Sequence, residues 1–111
     1  MMHITTFVFP QMSAFHMSVP ALIFGEDRTA LGMPAIEYRL ASADGGATVL
    51  PNGILAQPHG DLSLLANADI AIIPSWKDMD DPIAPGVAAA LQTVVANGGR
   101  VVGLCLGSYA L

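Results

Sequence analysis

The residue best suited to chemistry in this chain is Cys105, its single cysteine. It stands in the stretch Val101-Val102-Gly103-Leu104-Cys105-Leu106-Gly107-Ser108-Tyr109, with a glycine two residues away on either side. Small residues at those positions let a strand turn sharply into a helix and push the side chain between them into a site. A thiol there lies at a helix N-terminus, where the positive end of the dipole favours thiolate. It is then expected to be more acidic and more easily oxidised than a free cysteine. The alternative for a lone cysteine is a buried side chain acting as a small hydrophobe. His16 is a candidate partner, since an imidazolium beside the thiol would stabilise thiolate. The alternative is a histidine bonded to backbone or solvent within its own helix. Phe15, Trp76 and Tyr109 are candidates for the apolar wall of a ligand pocket around these two groups, although Trp76 serves equally as a cap on the core.

Other chemistries are excluded by composition. One cysteine permits neither an internal disulfide nor an all-cysteine metal site, and it fits a reducing compartment. His3 and His59 have no companions at metal-ligand spacing. Asp78, Asp80 and Asp81 resemble a calcium loop only superficially: Pro82 follows at once, and the glycine and terminal glutamate of that motif are missing. No metal or cofactor is expected. Fixed positive charge is limited to Arg28, Arg39, Lys77 and Arg100 in a chain of net charge −5. Nucleic-acid binding needs phosphates neutralised by Lys and Arg, so this segment is not expected to contact DNA by itself. No apolar run reaches the roughly 18 residues of a membrane helix, and no basic-then-apolar leader opens the chain. A cytoplasmic protein without membrane contact is expected.

The elements that position these residues can be read from period and punctuation. Hydrophobic residues make up 53% of 111 residues and charged ones 12%, which points to one domain around a large buried sheet. Residues 3–9 read as a β-branched, aromatic strand closed by Pro10. Ser13 is the expected N-cap of a helix carrying Phe15, Val19, Leu22 and Ile23 up to a C-cap at Gly25; Pro20 either kinks it or marks its true first turn. Residues 37–43 alternate as a second strand, and Asp44-Gly45-Gly46 turns the chain. Residues 48–50 and 54–57 flank Pro51-Asn52-Gly53 as a hairpin. Residues 61–66 suggest a short helix, and 69–73 an almost wholly apolar strand of the kind found inside parallel sheets. A polar loop follows over 76–85, then an amphipathic helix over 86–97 ended by Gly98-Gly99. The strand 100–104 leads to the cysteine. Strands alternating with helices imply a doubly wound, mostly parallel sheet with helices on both faces. Such sheets bind ligands at the carboxyl ends of their strands, where segments 10–16, 74–77 and 105–108 arrive.

The stretch from Arg100 to Leu111 resembles the cysteine elbow of the ThiJ/PfpI superfamily, the class I glutamine amidotransferase-like proteins. More narrowly, it resembles that of AraC-family transcriptional regulators whose N-terminal half has this fold. Phe7-Val8-Phe9-Pro10 through Val19-Pro20 and Phe24-Gly25 resembles the family's first strand and helix. Tyr38 to Asn52-Gly53 resembles its second strand and hairpin. Asp69-Ile70-Ala71-Ile72-Ile73-Pro74-Ser75-Trp76 resembles its aspartate-led strand, which in the regulators ends in proline and tryptophan. The resemblance spans nearly the whole chain and implies a flavodoxin-like sheet, truncated after the cysteine elbow.

The resemblance also implies function, and the departures from it matter. Enzymes of the superfamily carry a carboxylate four residues before the proline equivalent to Pro20, in contact with the elbow cysteine; here that residue is His16. Many hydrolytic members have a histidine directly after the cysteine, and this chain has Leu106. Members with an oxyanion hole usually have glycines after the proline equivalent to Pro74, and Ser75-Trp76 stand there. The implied role is a ligand-sensing regulatory domain without catalysis, answering an unidentified small-molecule effector and forming a homodimer. DNA would be bound only through a C-terminal helix-turn-helix domain that lies outside residues 1–111. The alternative is a cysteine-dependent enzyme of the same superfamily: a hydratase, an amidase or a glyoxalase-like hydrolase. A bland third reading is a fragment without independent function. The family's further strands and helices after the elbow are also absent from 1–111, so those residues made alone are expected to aggregate or stay molten.

Overall fold

The computed structural model describes residues 1–75 and 83–104. Strand β1 (Met2–Phe7) leads into helix α1 (Ala14–Phe24), strand β2 (Ile36–Ala41), the short strands β3 (Thr48–Val49) and β4 (Leu55–Ala56), helix α2 (Leu62–Ala66), strand β5 (Ile70–Ile73), helix α3 (Pro85–Ala96) and strand β6 (Arg100–Gly103). Four strands form one sheet in the order β2-β1-β5-β6, every pair parallel, while β3 and β4 make a separate antiparallel hairpin. The parallel α/β sheet is the one expected from the alternation of strands and helices.

Side-chain alternation assigns the layers. Ile4 and Thr6 of β1 share a face with Tyr38 and Leu40 of β2 and with Ile70 and Ile72 of β5. Helix α1 covers this face: its C-terminal Gly25 lies against the Tyr38 ring, and the Tyr38 hydroxyl meets Thr6 Oγ1 at 2.7 Å. The opposite face carries Phe7, Ala71, Ile73 and Val101, packed with Leu65 of α2 and Val87, Ala90, Leu91 and Val94 of α3. Ile4, Val8, Leu65, Ile73 and Val94 are essentially sealed from solvent. Each such side chain contributes about 1.5–3 kcal/mol through the apolar area it removes from water.

Turn chemistry follows the residue types. Asn52 and Gly53 both adopt positive φ, 65° and 76°, which this hairpin turn requires and which Asn and Gly tolerate best. Asp61 caps α2 by accepting the Ser63 N–H, and the Ser63 hydroxyl, with this backbone bond second to it, holds its carboxyl below the usual carboxylate range. Helix α3 closes with the Gly98 N–H bonded to Val95 O and the Gly99 N–H to Val94 O, with Gly98 left-handed at φ 82°. That is the two-bond glycine termination expected of Asn97-Gly98-Gly99.

Some boundaries depart from expectation. Strand pairing stops at Phe7 rather than Phe9. The Val8 N–H still reaches Ala41 O at 2.8 Å, but Phe9 O already accepts from Met12 N as the chain turns. Ser13 occupies the N-cap of α1 without a side-chain cap bond. Pro20 lies inside α1, buried, six residues past its start, so it does not mark the first turn. Most of the polar loop over 76–85, with Trp76 and the three aspartates, lies outside the described residues, as does the cysteine turn from Cys105 onward.

Asp69 ties the amino-terminal ends of three strands together. Its carboxylate accepts the His3 N–H at 2.8 Å, its own N–H reaches His3 O, and its carbonyl accepts from Arg100 N. Gly99 makes this crossing possible: a Cβ there would stand 2.7 Å from Asp69 O and 2.8 Å from Val94 Cγ1. Gly99→Ala is therefore expected to cost about 1–3 kcal/mol by overpacking against backbone, and to lower Tm by at least about 4 °C. Thermal unfolding of the variant checks this, and an unchanged Tm would show that the crossing has room to relax.

Candidate functional site

All four sheet strands run the same way, so the chain leaves β1, β5 and β6 at one pole. The β1–α1 connection is fixed there by its own backbone. Val8, Phe9 and Met12 are buried, and Gln11 turns at φ 66° with its N–H bonded to Val49 O of the hairpin at 2.7 Å. A non-glycine residue at positive φ costs energy unless its surroundings hold it, and the hairpin supplies that hold. The connection delivers Phe15 and His16 on the first turn of α1.

His16 is the unusual group. Its ring is part-buried, and its Nδ1 is closed off from solvent with no hydrogen-bond partner among the described residues. Pro20 adds to the deficit, because a proline has no N–H to donate to the carbonyl four residues earlier, which is that of His16. Leaving a buried polar atom unpaired costs about 1–3 kcal/mol. The Phe15 ring meets the His16 ring edge-on with centroids 5.5 Å apart, and Phe15 itself is 70% exposed. Phe15 therefore leaves most of its ring open to solvent at this pole.

Two further segments arrive at the same pole. After β5 come Pro74, fully buried, and Ser75, 8% exposed. After β6, the Leu104 N–H bonds to Ile73 O at 3.0 Å, which carries the β5–β6 pairing up to the residue before the cysteine. Cys105, Trp76 and Tyr109 lie outside the described residues. The structure thus brings Phe15, His16, Ser75 and Leu104 to one end of the sheet.

Sequence reasoning missed two groups. Tyr38 and Thr6 form a hydroxyl pair between α1 and the sheet; burial pushes the Tyr38 phenol up, against a smaller lowering by Thr6, so it stays neutral. The alternation of β2 placed Tyr38 on one face but gave no sign of its partner. His59, whose spacing offers no metal-ligand companion, has a ring that accepts the Leu40 N–H at 3.0 Å. No group of three or more His, Cys, Asp or Glu among the described residues could hold a metal ion.

Clefts among the described residues open mainly elsewhere. One of about 360 Å3 is lined by Asn67, Asp69, Asn97 and Arg100, and one of about 240 Å3 by Ile23, Asp27, Arg28 and Pro34. Both sit at the amino-terminal ends of the strands. Arg28 is already engaged with the last carbonyls of α1 and with Glu26, and the Asp69 carboxylate with the His3 backbone N–H. The orphaned His16 Nδ1 makes the carboxyl pole the stronger candidate. No described helix is long and apolar enough to cross a membrane.

No protein-family model matches the chain. A Streptomyces lividans protein from the cpoL 5′ region is 27% identical over 111 residues, covering 97% of this chain and 76% of its own length. A DJ-1 superfamily protein from Agrobacterium tumefaciens superposes with a TM-score of 0.68 at 19% identity, over 93% of this chain and 53% of its own. For a ThiJ/PfpI family protein from Pseudomonas syringae the TM-score is 0.74 at 15% identity, over 96% and 43%. For an AraC family transcriptional regulator from Pseudomonas putida it is 0.61 at 16% identity, over 93% and 64%. This chain thus spans less than two-thirds of each solved structure. The sheet order, the helices on both faces and these superpositions together give the chain the doubly wound α/β fold common to DJ-1 superfamily, ThiJ/PfpI and AraC-regulator structures.

Proposed function

We propose that this chain is the ligand-sensing domain of an AraC-type transcriptional regulator, and that it has no catalytic activity of its own. The observation that carries the reading is His16. A polar ring nitrogen closed off from solvent at the carboxyl pole of a doubly wound sheet, without a partner among the described residues, is the group a bound effector would satisfy. Residue types around it argue against catalysis. An imidazole stands where related enzymes have a carboxylate, and the buried Ser75 follows Pro74 where an oxyanion loop would need glycine. The likeness in fold to an AraC family transcriptional regulator supports the regulatory role.

In this proposal the effector is a small molecule seated between α1 and the carboxyl ends of β5 and β6. Phe15, His16, Trp76, Cys105 and Tyr109 contact it, with Cys105 as a pocket group rather than a nucleophile. The domain forms a homodimer in the cytoplasm, and a helix-turn-helix domain of the longer protein reads DNA. The competing reading is a cysteine-dependent hydratase, amidase or glyoxalase-like hydrolase of the same fold. The DJ-1 and ThiJ/PfpI structures keep it in view.

Two measurements separate these readings. Assayed with amide, isonitrile and methylglyoxal substrates, the protein is expected to show no turnover that Cys105→Ala abolishes; a rate above background that depends on Cys105 would establish the enzyme instead. Screened against a panel of small metabolites by thermal shift, the protein is expected to gain stability from its effector. The gain is about 2.7 kcal/mol at a hundredfold excess over Kd, and His16→Phe should abolish it. An effector that stabilises wild type and His16→Phe equally would remove His16 from the site.

A further inference from the structure

One face of β1 and β2 changes character along its length. Side chains at paired positions of a parallel ladder share a face, so His3 and Thr5 of β1 stand beside Glu37 and Arg39 of β2. Two residues further along the same face, Phe7 and Ala41 belong to the packed core. Helix α2 ends over this change. Its Leu64 packs against the core, and Asn67, its C-cap, closes the helix with an N–H on Ser63 O. His3, Thr5, Glu37, Arg39, Leu64 and Asn67 together line a hollow of about 230 Å3.

The fixed charges around the hollow balance each other. Arg39 Nη2 meets Glu37 Oε1 at 2.7 Å, and Arg39 Nη1 donates to Tyr38 O at 3.0 Å. Glu37 Oε2 lies 3.5 Å from His3 Nδ1. An anion drawn to Arg39 would meet the Glu37 carboxylate, and a cation drawn to Glu37 would meet the guanidinium, so either loses to one neighbour much of what it gains from the other. Uncommitted hydrogen-bonding groups remain. Thr5 is only 2% exposed, yet it lines the hollow and its hydroxyl has no hydrogen bond among the described residues. The side-chain amide of Asn67 has none there either. A hydroxyl this deep in a strand face normally has a partner, and here the hollow is where a partner can stand.

We propose that this hollow binds a small neutral polyol or sugar, at a site separate from the carboxyl pole. A hydroxyl group both donates and accepts, so it suits a wall on which fixed donors and acceptors stand side by side. Neighbouring hydroxyls of one ligand can bridge the Glu37 carboxylate and the Arg39 guanidinium. Others meet the Thr5 hydroxyl at the floor and the Asn67 amide at the wall, while Leu64 takes the apolar C–H face. At roughly 30 Å3 per water molecule the hollow has room for about eight, the space of a polyol of about four to six carbons.

Amide NMR of the full-length protein, titrated separately with myo-inositol, D-glucose and inorganic phosphate, tests the site. At least one of the two polyols is expected to shift the signals of His3, Thr5, Glu37 and Asn67 saturably, with a Kd below about 10 mM, while phosphate does not saturate them in that range. Thr5→Val keeps the shape of the side chain and removes its hydroxyl, so it should weaken that polyol about three- to tenfold, the effect of losing roughly one hydrogen bond. Asn67→Ala, at the exposed end of α2, should weaken it by a similar factor, and it carries the test if Thr5→Val fails to fold. Shifts that stay linear with both polyols overturn the proposal and leave the hollow a hydrated ion pair only. An affinity unchanged in either folded variant overturns it too, as does saturation by phosphate with no response to either polyol.

Discussion

Strand β1 is hydrogen-bonded along both edges, to β2 over six residues in register and to β5 over three. It is also covered on both faces, so Ile4, Thr5, Thr6 and Phe7 are all buried. A strand in that position leaves no freedom of register, because a slip of one residue would exchange the faces of every side chain. The rest of the structure takes its place from this. Helix α1 must return over the face of Thr6 and Tyr38, and α2 and α3 must close the face of Phe7 and Ala71. The Asp69 carboxylate then fixes the start of the strand by holding the His3 N–H.

Parallel pairing around β1 also sets where function can reside. Because all strands point one way, the connections after β1, β5 and β6 share a pole, and the first turn of α1 faces it with its positive dipole end. The hairpin carries no sheet strand, yet it matters here: Val49 O pins Gln11 at positive φ, and that bend aims Phe15 and His16. His16 Nδ1, unpaired among the described residues and in a helix that has given up a backbone donor at Pro20, is a local cost that the packed core offsets. Costs of this kind gather where a protein reserves a group for a ligand.

Much of the fold was legible in the residues. The apolar run at 70–73, the glycine pair after α3 and the Asn52-Gly53 turn each announce one local geometry, and each is found. Strand ends were less legible: Phe9 looks like strand by type, but the turn at Gln11 pulls it out of the ladder, and that turn depends on Val49, 38 residues away. Ser13 has the chemistry of a cap and the position of one, yet makes no cap bond, since residue type does not fix a hydroxyl's direction. Within the site, the segments that meet were readable from topology. The partnerless ring of His16, the Tyr38–Thr6 pair and the His59–Leu40 bond were not, because each is a relation between distant residues that no spacing encodes.

The carboxyl pole of the sheet is the proposed ligand site. A crystallographic screen with small polar-aromatic fragments tests that most directly. Density between α1 and the ends of β5 and β6, with a fragment atom within hydrogen-bond distance of His16 Nδ1, is the result the account predicts. Fragments bound only in the clefts at the amino-terminal ends of the strands, beside Arg28 or Asp69, with His16 still unpartnered, would contradict it.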